Sequence, residues 1–151
     1  MGGLTLLPGV YFFKSSAQLT GSLTLNNLGD PNARFVFQIG STLTTASSSS
    51  VSFLNGEDCK VFWQVGSSAT LGTGTDFAGH ILALTSITAD TGADVINGSL
   101  LARNGAVTLD SNTITPCPPS STPEVPTTIL MVCSAGAGML TVIRRRKFVA
   151  A

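Results

Sequence analysis

The feature that most restricts this chain is a short motif that returns at nearly even intervals. It reads Ser22-Leu23-Thr24, Thr42-Leu43-Thr44, Ser68-Ala69-Thr70, Ser86-Ile87-Thr88 and Ala106-Val107-Thr108. Its threonines are spaced by 20, 26, 18 and 20 residues. Short alternating runs at such a period, bounded by Gly, Asn and Asp, indicate a solenoid, because one repeat cannot bury its apolar face until it stacks on the next. Helical repeats need more residues per unit. Three short strands plus corners use up about 20 residues, so the sequence predicts a parallel β-helix. The long interval holds Asn55-Gly56-Glu57-Asp58-Cys59-Lys60, which is expected to bulge out of one coil.

Other rows keep the same register. Val51, Phe77 and Val95 line up; so do residues 35–40 with 61–66, and Leu82-Ala83-Leu84 with Leu101-Ala102-Arg103. Alternation along a strand then assigns faces. Leu23 and Leu25, Leu43 and Thr45, Ala69 and Leu71, Ile87 and Ala89, and Val107 and Leu109 are expected inside. The segments 35–39, 61–65 and 81–84 look apolar on both sides. A strand of that kind needs a cover, from a helix or another chain. No stretch of residues 1–115 has a helical period that would supply one.

The outward positions Ser22, Thr24, Thr42, Thr44, Ser68, Thr70, Ser86, Thr88 and Thr108 form the first candidate binding surface. Stacked coils repeat at about 4.8 Å, and residues i and i+2 stand about 6.7 Å apart. Threonine is stiff at χ1, so its methyl and hydroxyl hold a set place. A rigid, uncharged array at these spacings approximates water positions on an ice surface. β-Propensity and solubility alone also place Thr on solenoid strands, so an adhesin or a purely structural solenoid is the alternative.

Charge supports a surface that is neither basic nor acidic. Charged residues are 11% of the chain and the formal net charge is zero. No nucleic-acid partner is expected from that balance. Ser and Thr make up roughly a quarter of the chain and take the place of the missing charges. His80 stands alone between Gly79 and Ile81, without a second catalytic group. Asp76, Asp94 and Asp110 fall near coil corners, with Arg103 in a neighbouring repeat. A polysaccharide-acting β-helix enzyme would need such groups gathered in a cleft, but Asp at corners is ordinary turn chemistry. No enzyme activity, cofactor or metal is expected, and the three cysteines cannot all pair.

The chain divides at Pro116. Residues 1–115 are the solenoid, 116–128 a Pro/Ser linker, and 129–151 an apolar segment with a basic end, Arg144-Arg145-Arg146-Lys147. The order of linker, apolar run and cations fits a membrane-engaging or sorting tail through residues 129–147, with an apolar helix in it. Its layout resembles the C-terminal sorting signals of bacterial surface proteins, although no sortase-type motif is intact. The location expected is extracellular or at the cell surface. Met1-Gly2-Gly3-Leu4-Thr5 has no basic or apolar export signal, which suggests a chain that starts inside a longer natural protein.

Several strings carry a family resemblance. Leu7-Pro8-Gly9-Val10-Tyr11, Gly29-Asp30-Pro31-Asn32-Ala33-Arg34-Phe35-Val36-Phe37-Gln38-Ile39-Gly40 and Leu101-Ala102-Arg103-Asn104-Gly105-Ala106-Val107-Thr108-Leu109-Asp110 resemble the microbial ice-binding (antifreeze) β-solenoid family. The likeness runs from Gly3 to Thr115 and corresponds to the C-terminal half of that domain. It implies an all-β, right-handed parallel β-helix of triangular section, whose covering helix is absent here. It implies adsorption to ice by a flat face, giving recrystallisation inhibition and weak thermal hysteresis. The partners implied are ice and water, with a missing N-terminal half or a second copy covering the apolar strands. The family's T-A/G-x-T/N motif gives a second candidate column, Thr45, Ser48, Thr73, Thr75 and Thr91. Thr73-Gly74-Thr75-Asp76 and Thr91-Gly92-Ala93-Asp94 depart from it by ending in Asp. The resemblance also implies an upstream partner for Cys59, with Cys117 as the substitute within this chain.

Overall fold

Alternating runs become strands here because each can bury one face against the coil above and below. The computed structural model describes residues 1–56 and 59–118. Among the described residues every regular element is a β-strand.

The strands fall into three faces, each visited once per coil. Face 1 holds β1 (Thr5–Leu6), β4 (Ser22–Asn26) and β7 (Ser50–Leu54). It continues into the first parts of β10 (Asp76–Ala83) and β12 (Asp94–Ala102), and Ile114 bridges to Val95 at its end. Face 2 holds β2 (Gly9–Phe13), β5 (Phe35–Ile39), β8 (Val61–Val65) and the second parts of β10 and β12. Face 3 holds β3 (Ala17–Leu19), β6 (Leu43–Thr45), β9 (Ala69–Leu71), β11 (Ile87–Ala89) and β13 (Val107–Leu109). All the pairings are parallel, and each strand sits on its counterpart from the previous coil.

The inward side chains follow the alternation. Leu23, Leu25, Leu43, Leu71 and Ile87 are wholly buried, as are Phe35, Phe37, Trp63 and Phe77. Aromatics stack through the interior of face 2. Ring centroids are 5.3 Å apart for Tyr11 and Phe37 and 3.8 Å for Phe37 and Trp63, while Phe77 tilts against Trp63 at 4.9 Å. The indole N–H of Trp63 donates to the Ala78 carbonyl at 2.9 Å, so this ring is buried without an orphaned donor. Val107 and Leu109 share the inward register but remain 38% and 49% exposed, because among the described residues no further strand stacks on β13.

Two insertions change coil length. Residues 27–34 separate β4 from β5, and residues 55–60 separate β7 from β8. The next two coils have no insertion there, and faces 1 and 2 run together in one long strand with a register shift after Ala78. Glycine makes that bend possible. A Cβ on Gly98 would lie 1.9 Å from the Gly79 carbonyl oxygen, and Gly79 itself has φ +103°. Gly98→Ala is therefore expected to cost about 3 kcal/mol or to prevent folding, which urea unfolding of the variant will show.

Candidate functional site

Face 3 is the most regular of the three. Gln18, Thr44, Thr70, Thr88 and Thr108 are paired rung to rung. The step is 26 residues across the coils that carry insertions, then 18 and 20. Beside this column stand Ser16, Thr42, Ser68, Ser86 and Ala106, stacked through backbone bonds such as Leu43 N–H to Ser68 C=O at 3.1 Å. In this second column Thr42 Oγ1 donates to Ser16 Oγ at 2.8 Å, and the Ser68 hydroxyl oxygen accepts from Ser86 N–H at 3.4 Å. Among the described residues, no side-chain hydrogen bond occupies the hydroxyls of Thr44, Thr70, Thr88 and Thr108. They face outward with their bonding capacity left for water.

Two members of the first candidate column lie elsewhere. Ser22 and Thr24 belong to β4 on face 1, where they pair with Ser50 and Ser52. The interval from Thr24 to Thr44 connects two faces of one coil and not two successive coils. It mimics the period because the insertion at 27–34 lengthens the path between them.

The second candidate column is split by the corner between faces 3 and 1. Thr45 and Thr75 turn inward, 3% and 0% exposed, and their hydroxyls meet at 2.9 Å. Thr45 Oγ1 accepts from Gly72 N–H at 2.8 Å, and Thr75 Oγ1 donates to the Ala46 carbonyl at 3.2 Å. These two hydroxyls close the inner corner and cannot reach a surface. Ser48, Thr73 and Thr91 are exposed. Ser48 N–H donates to Thr73 C=O at 2.9 Å and Gly74 N–H to Thr91 C=O at 3.1 Å, so the rungs stay aligned through the turn. The turn needs φ > 0 at its third residue, supplied by Ser48 at 56°, Gly74 at 64° and Gly92 at 67°. Thr91 Oγ1 donates to the Asp110 carboxylate.

Charges are partitioned between the faces. The described carboxylates stand on face 1 (Asp76, Asp94), on the corner beside it (Asp90, Asp110) and in the 27–34 insertion (Asp30). The described cations, Lys14, Arg34, Lys60 and Arg103, each adjoin the end of a face 2 strand. Between them lies an apolar outer surface with Phe12 71% and Leu101 53% exposed. A groove of about 440 Å³ crosses it, lined by Gly66, Leu82, Leu84, Leu101 and Arg103 among others. Asp76 and Asp94 pair on neighbouring strands and Asp110 lies on the corner beside them, but Arg103 stands beyond the far end of β12, so the four groups are not gathered in one cleft. Among the described residues no cluster of His, Cys, Asp or Glu is suited to a metal ion.

Cys59 is joined to Cys117, with Cα atoms 5.7 Å apart. The bond ties the 55–60 insertion to the end of the solenoid, across 58 residues.

Comparison with known proteins agrees with this geometry. The family model described as ice-binding-like matches residues 1–115. The chain belongs to this family. An ice-binding protein of Nostoc sp. (strain HG1) is 57% identical over 152 residues, covering 97% of this chain and 56% of that protein. Ice-binding protein 1 of Shewanella frigidimarina is 39% identical over 76% of this chain and 13% of its own length. A crystal structure of an ice-binding protein from an Antarctic biological consortium superposes with a TM-score of 0.73 at 50% identity, covering 76% of this chain and 53% of the other. That of Antarctomyces psychrotrophicus gives 0.71 at 49% identity, covering 76% and 56%. The chain thus spans little more than half of the Nostoc protein and smaller shares of other curated ice-binding-like relatives. The apolar tail and its expected helix lie outside the described residues. Among those that are described, no helix is long and apolar enough to cross a membrane.

The disulfide supplies a stability prediction for this ice-binding-like domain. Closing a loop of this length removes unfolded-state entropy worth about 4 kcal/mol. Cys117→Ser is expected to lower stability by about 2–4 kcal/mol and Tm by on the order of 10 °C. Thermal melts of both proteins with and without reductant will check this, since reductant should bring the parent down to the variant.

Proposed function

We propose that the solenoid adsorbs to ice through face 3. The observation that carries this reading is the in-register ladder of Thr44, Thr70, Thr88 and Thr108, flanked by Thr42, Ser68 and Ser86, with no charged residue in either column. Methyls standing between hydroxyls let bound water complete an ice-like layer without surrendering tightly held hydration, as carboxylates would require. The stiff χ1 of threonine and the fixed rungs leave little conformational entropy to lose on binding. The activity expected is inhibition of ice recrystallisation with weak thermal hysteresis, by adsorption and not by catalysis.

A second surface has a specific observation in its favour. Thr73 and Thr91 stand one above the other at the corner, with Ser48 one place further on, over Gly74, and on face 1 Ser50 Oγ donates to Ser22 Oγ at 3.0 Å beside Thr24. Asp76 and Asp94 interrupt this plane and hold liquid-like hydration, which is why face 3 is preferred.

The location proposed is outside the cell or at its surface, with residues 129–147 engaging a membrane or serving as a sorting tail. The right-handed, triangular winding implied by the family completes the proposed architecture. The apolar outer surface of face 2 is proposed to be covered in the working protein, by further chain or by a second copy. An adhesin or structural solenoid is the competing role.

Recrystallisation assays separate these readings. Thr70→Tyr with Thr88→Tyr should raise the concentration needed for inhibition about tenfold or more, because two bulky rings break the plane. Thr73→Tyr with Thr91→Tyr should change it little. The reverse result would move the site to the corner and face 1. Absence of inhibition by the parent protein would leave the adhesin or structural role.

A further inference from the structure

The disulfide corner carries chemistry that adsorption does not use. His80 on β10 has its Nε2 3.9 Å from Cys117 Sγ. Its other nitrogen, Nδ1, is 2.9 Å from Ser99 Oγ on β12. The ring also stacks on Phe62 of β8, with centroids 5.3 Å apart and planes 21° apart. The serine and the aromatic face together hold the imidazole in one orientation, aimed at the sulfur. In the tautomer whose Nδ1–H donates to Ser99 Oγ, the free lone pair sits on Nε2. Cys59, Cys117 and His80 are all half-buried, so small reagents reach them.

We propose that His80 is the general base that closes the Cys59–Cys117 disulfide. The oxidant class is a small-molecule disulfide, RSSR. Cys59 first gives its thiol proton to water, and its thiolate attacks RSSR, giving Cys59–S–S–R and RS⁻, which takes a proton back from water. The Cys117 thiol then passes its proton to His80 Nε2. Its sulfur electron pair attacks Cys59 Sγ, the bond to SR breaks, and RS⁻ leaves with the proton from His80. Two protein thiols are oxidised by two electrons and RSSR is reduced to two RSH.

The neighbouring groups leave this task to the imidazole. The Asn97 carbonyl oxygen is nearer to Cys117 Sγ, at 3.3 Å, and the Cys59 carbonyl is at 3.9 Å. Each can accept a thiol hydrogen bond, but neither can carry the proton away. Lys60, next to Cys59, turns its Nζ to the Pro31 carbonyl at 2.7 Å. The ring is beside Cys117, so it favours the 59–117 pairing over one using Cys133. An ordinary thiol with pKa about 8.5 is only a few per cent ionised at neutral pH. Complete ionisation would therefore gain about thirtyfold at most, and the weaker nucleophilicity of a less basic thiolate takes back part of that.

The test uses the full chain, reduced while folded and then mixed with oxidised glutathione. Alkylation quenching and peptide mass spectrometry follow closure. At pH 7 the His80→Gln chain should close about tenfold more slowly than the parent. The two rates should converge above pH 9.5, where the thiol ionises unaided. Equal rates at pH 7, or a deficit that persists unchanged at high pH, would overturn the proposal; the latter would mark a merely structural role. A second measurement avoids dependence on closure itself. In the Cys59→Ser chain, iodoacetamide should label Cys117 about tenfold faster at pH 7 with His80 than with His80→Gln. Equal labelling would likewise overturn it.

Discussion

Each coil of this protein is held by the coils on either side of it, and nearly every other property follows from that. The backbone of one strand finds its partners in the next coil, while the inward side chains form columns across the same step. Stability in such a stack is a sum of neighbour terms and not of one central cluster. The Tyr11–Phe37–Trp63 column shows the principle, since each ring meets its equivalent one rung away. The exposed Val107 and Leu109 show the converse, a coil whose next neighbour is missing from the described solenoid.

The same stacking makes the outer surface a set of columns, and the columns differ in hydration. Carboxylates gather on face 1 and its corner, cations frame face 2, and the two central columns of face 3 have neither. The proposed role of face 3, holding ordered water, benefits from that exclusion. Charged groups keep their own shells, whereas threonine offers one bonding site beside a methyl. The apolar outer surface of face 2 is the opposite case. Its exposed Phe12 and Leu101 resemble a covered layer more than a wet one.

Much of this was legible in the residues. Two-residue alternation identified the inward side chains of β4, β6, β9 and β11, because a strand with one buried face leaves that trace directly. The rows containing Val51, Phe77 and Val95, and those pairing 35–39 with 61–65, carried the register. The candidate surface was read less well. Ser22-Leu23-Thr24 lies on face 1 and the similar Thr42-Leu43-Thr44 on face 3, and a motif of three residues cannot say which face it occupies. A polar insertion at 27–34 then made the wrong interval look periodic. Thr75 was misplaced for another reason, while for Thr45 the alternation gave the inward place and the family motif the outward one. A hydroxyl can cap a buried corner as readily as meet solvent, and only the fold shows which backbone groups lack a partner there. The contact between His80 and Cys117 had no signal in the sequence, since 37 residues separate them.

The step from Thr70 to Thr88 and the step from Thr88 to Thr108 are free of excursions between faces 1 and 2. A coil of that kind is a self-contained tile, with its inward residues already matched to copies of themselves. Genetic duplication of one such tile would lengthen the molecule by a single row while leaving the rows on either side undisturbed. The area that face 3 presents can therefore grow in whole rows, by copying a segment of under two dozen codons.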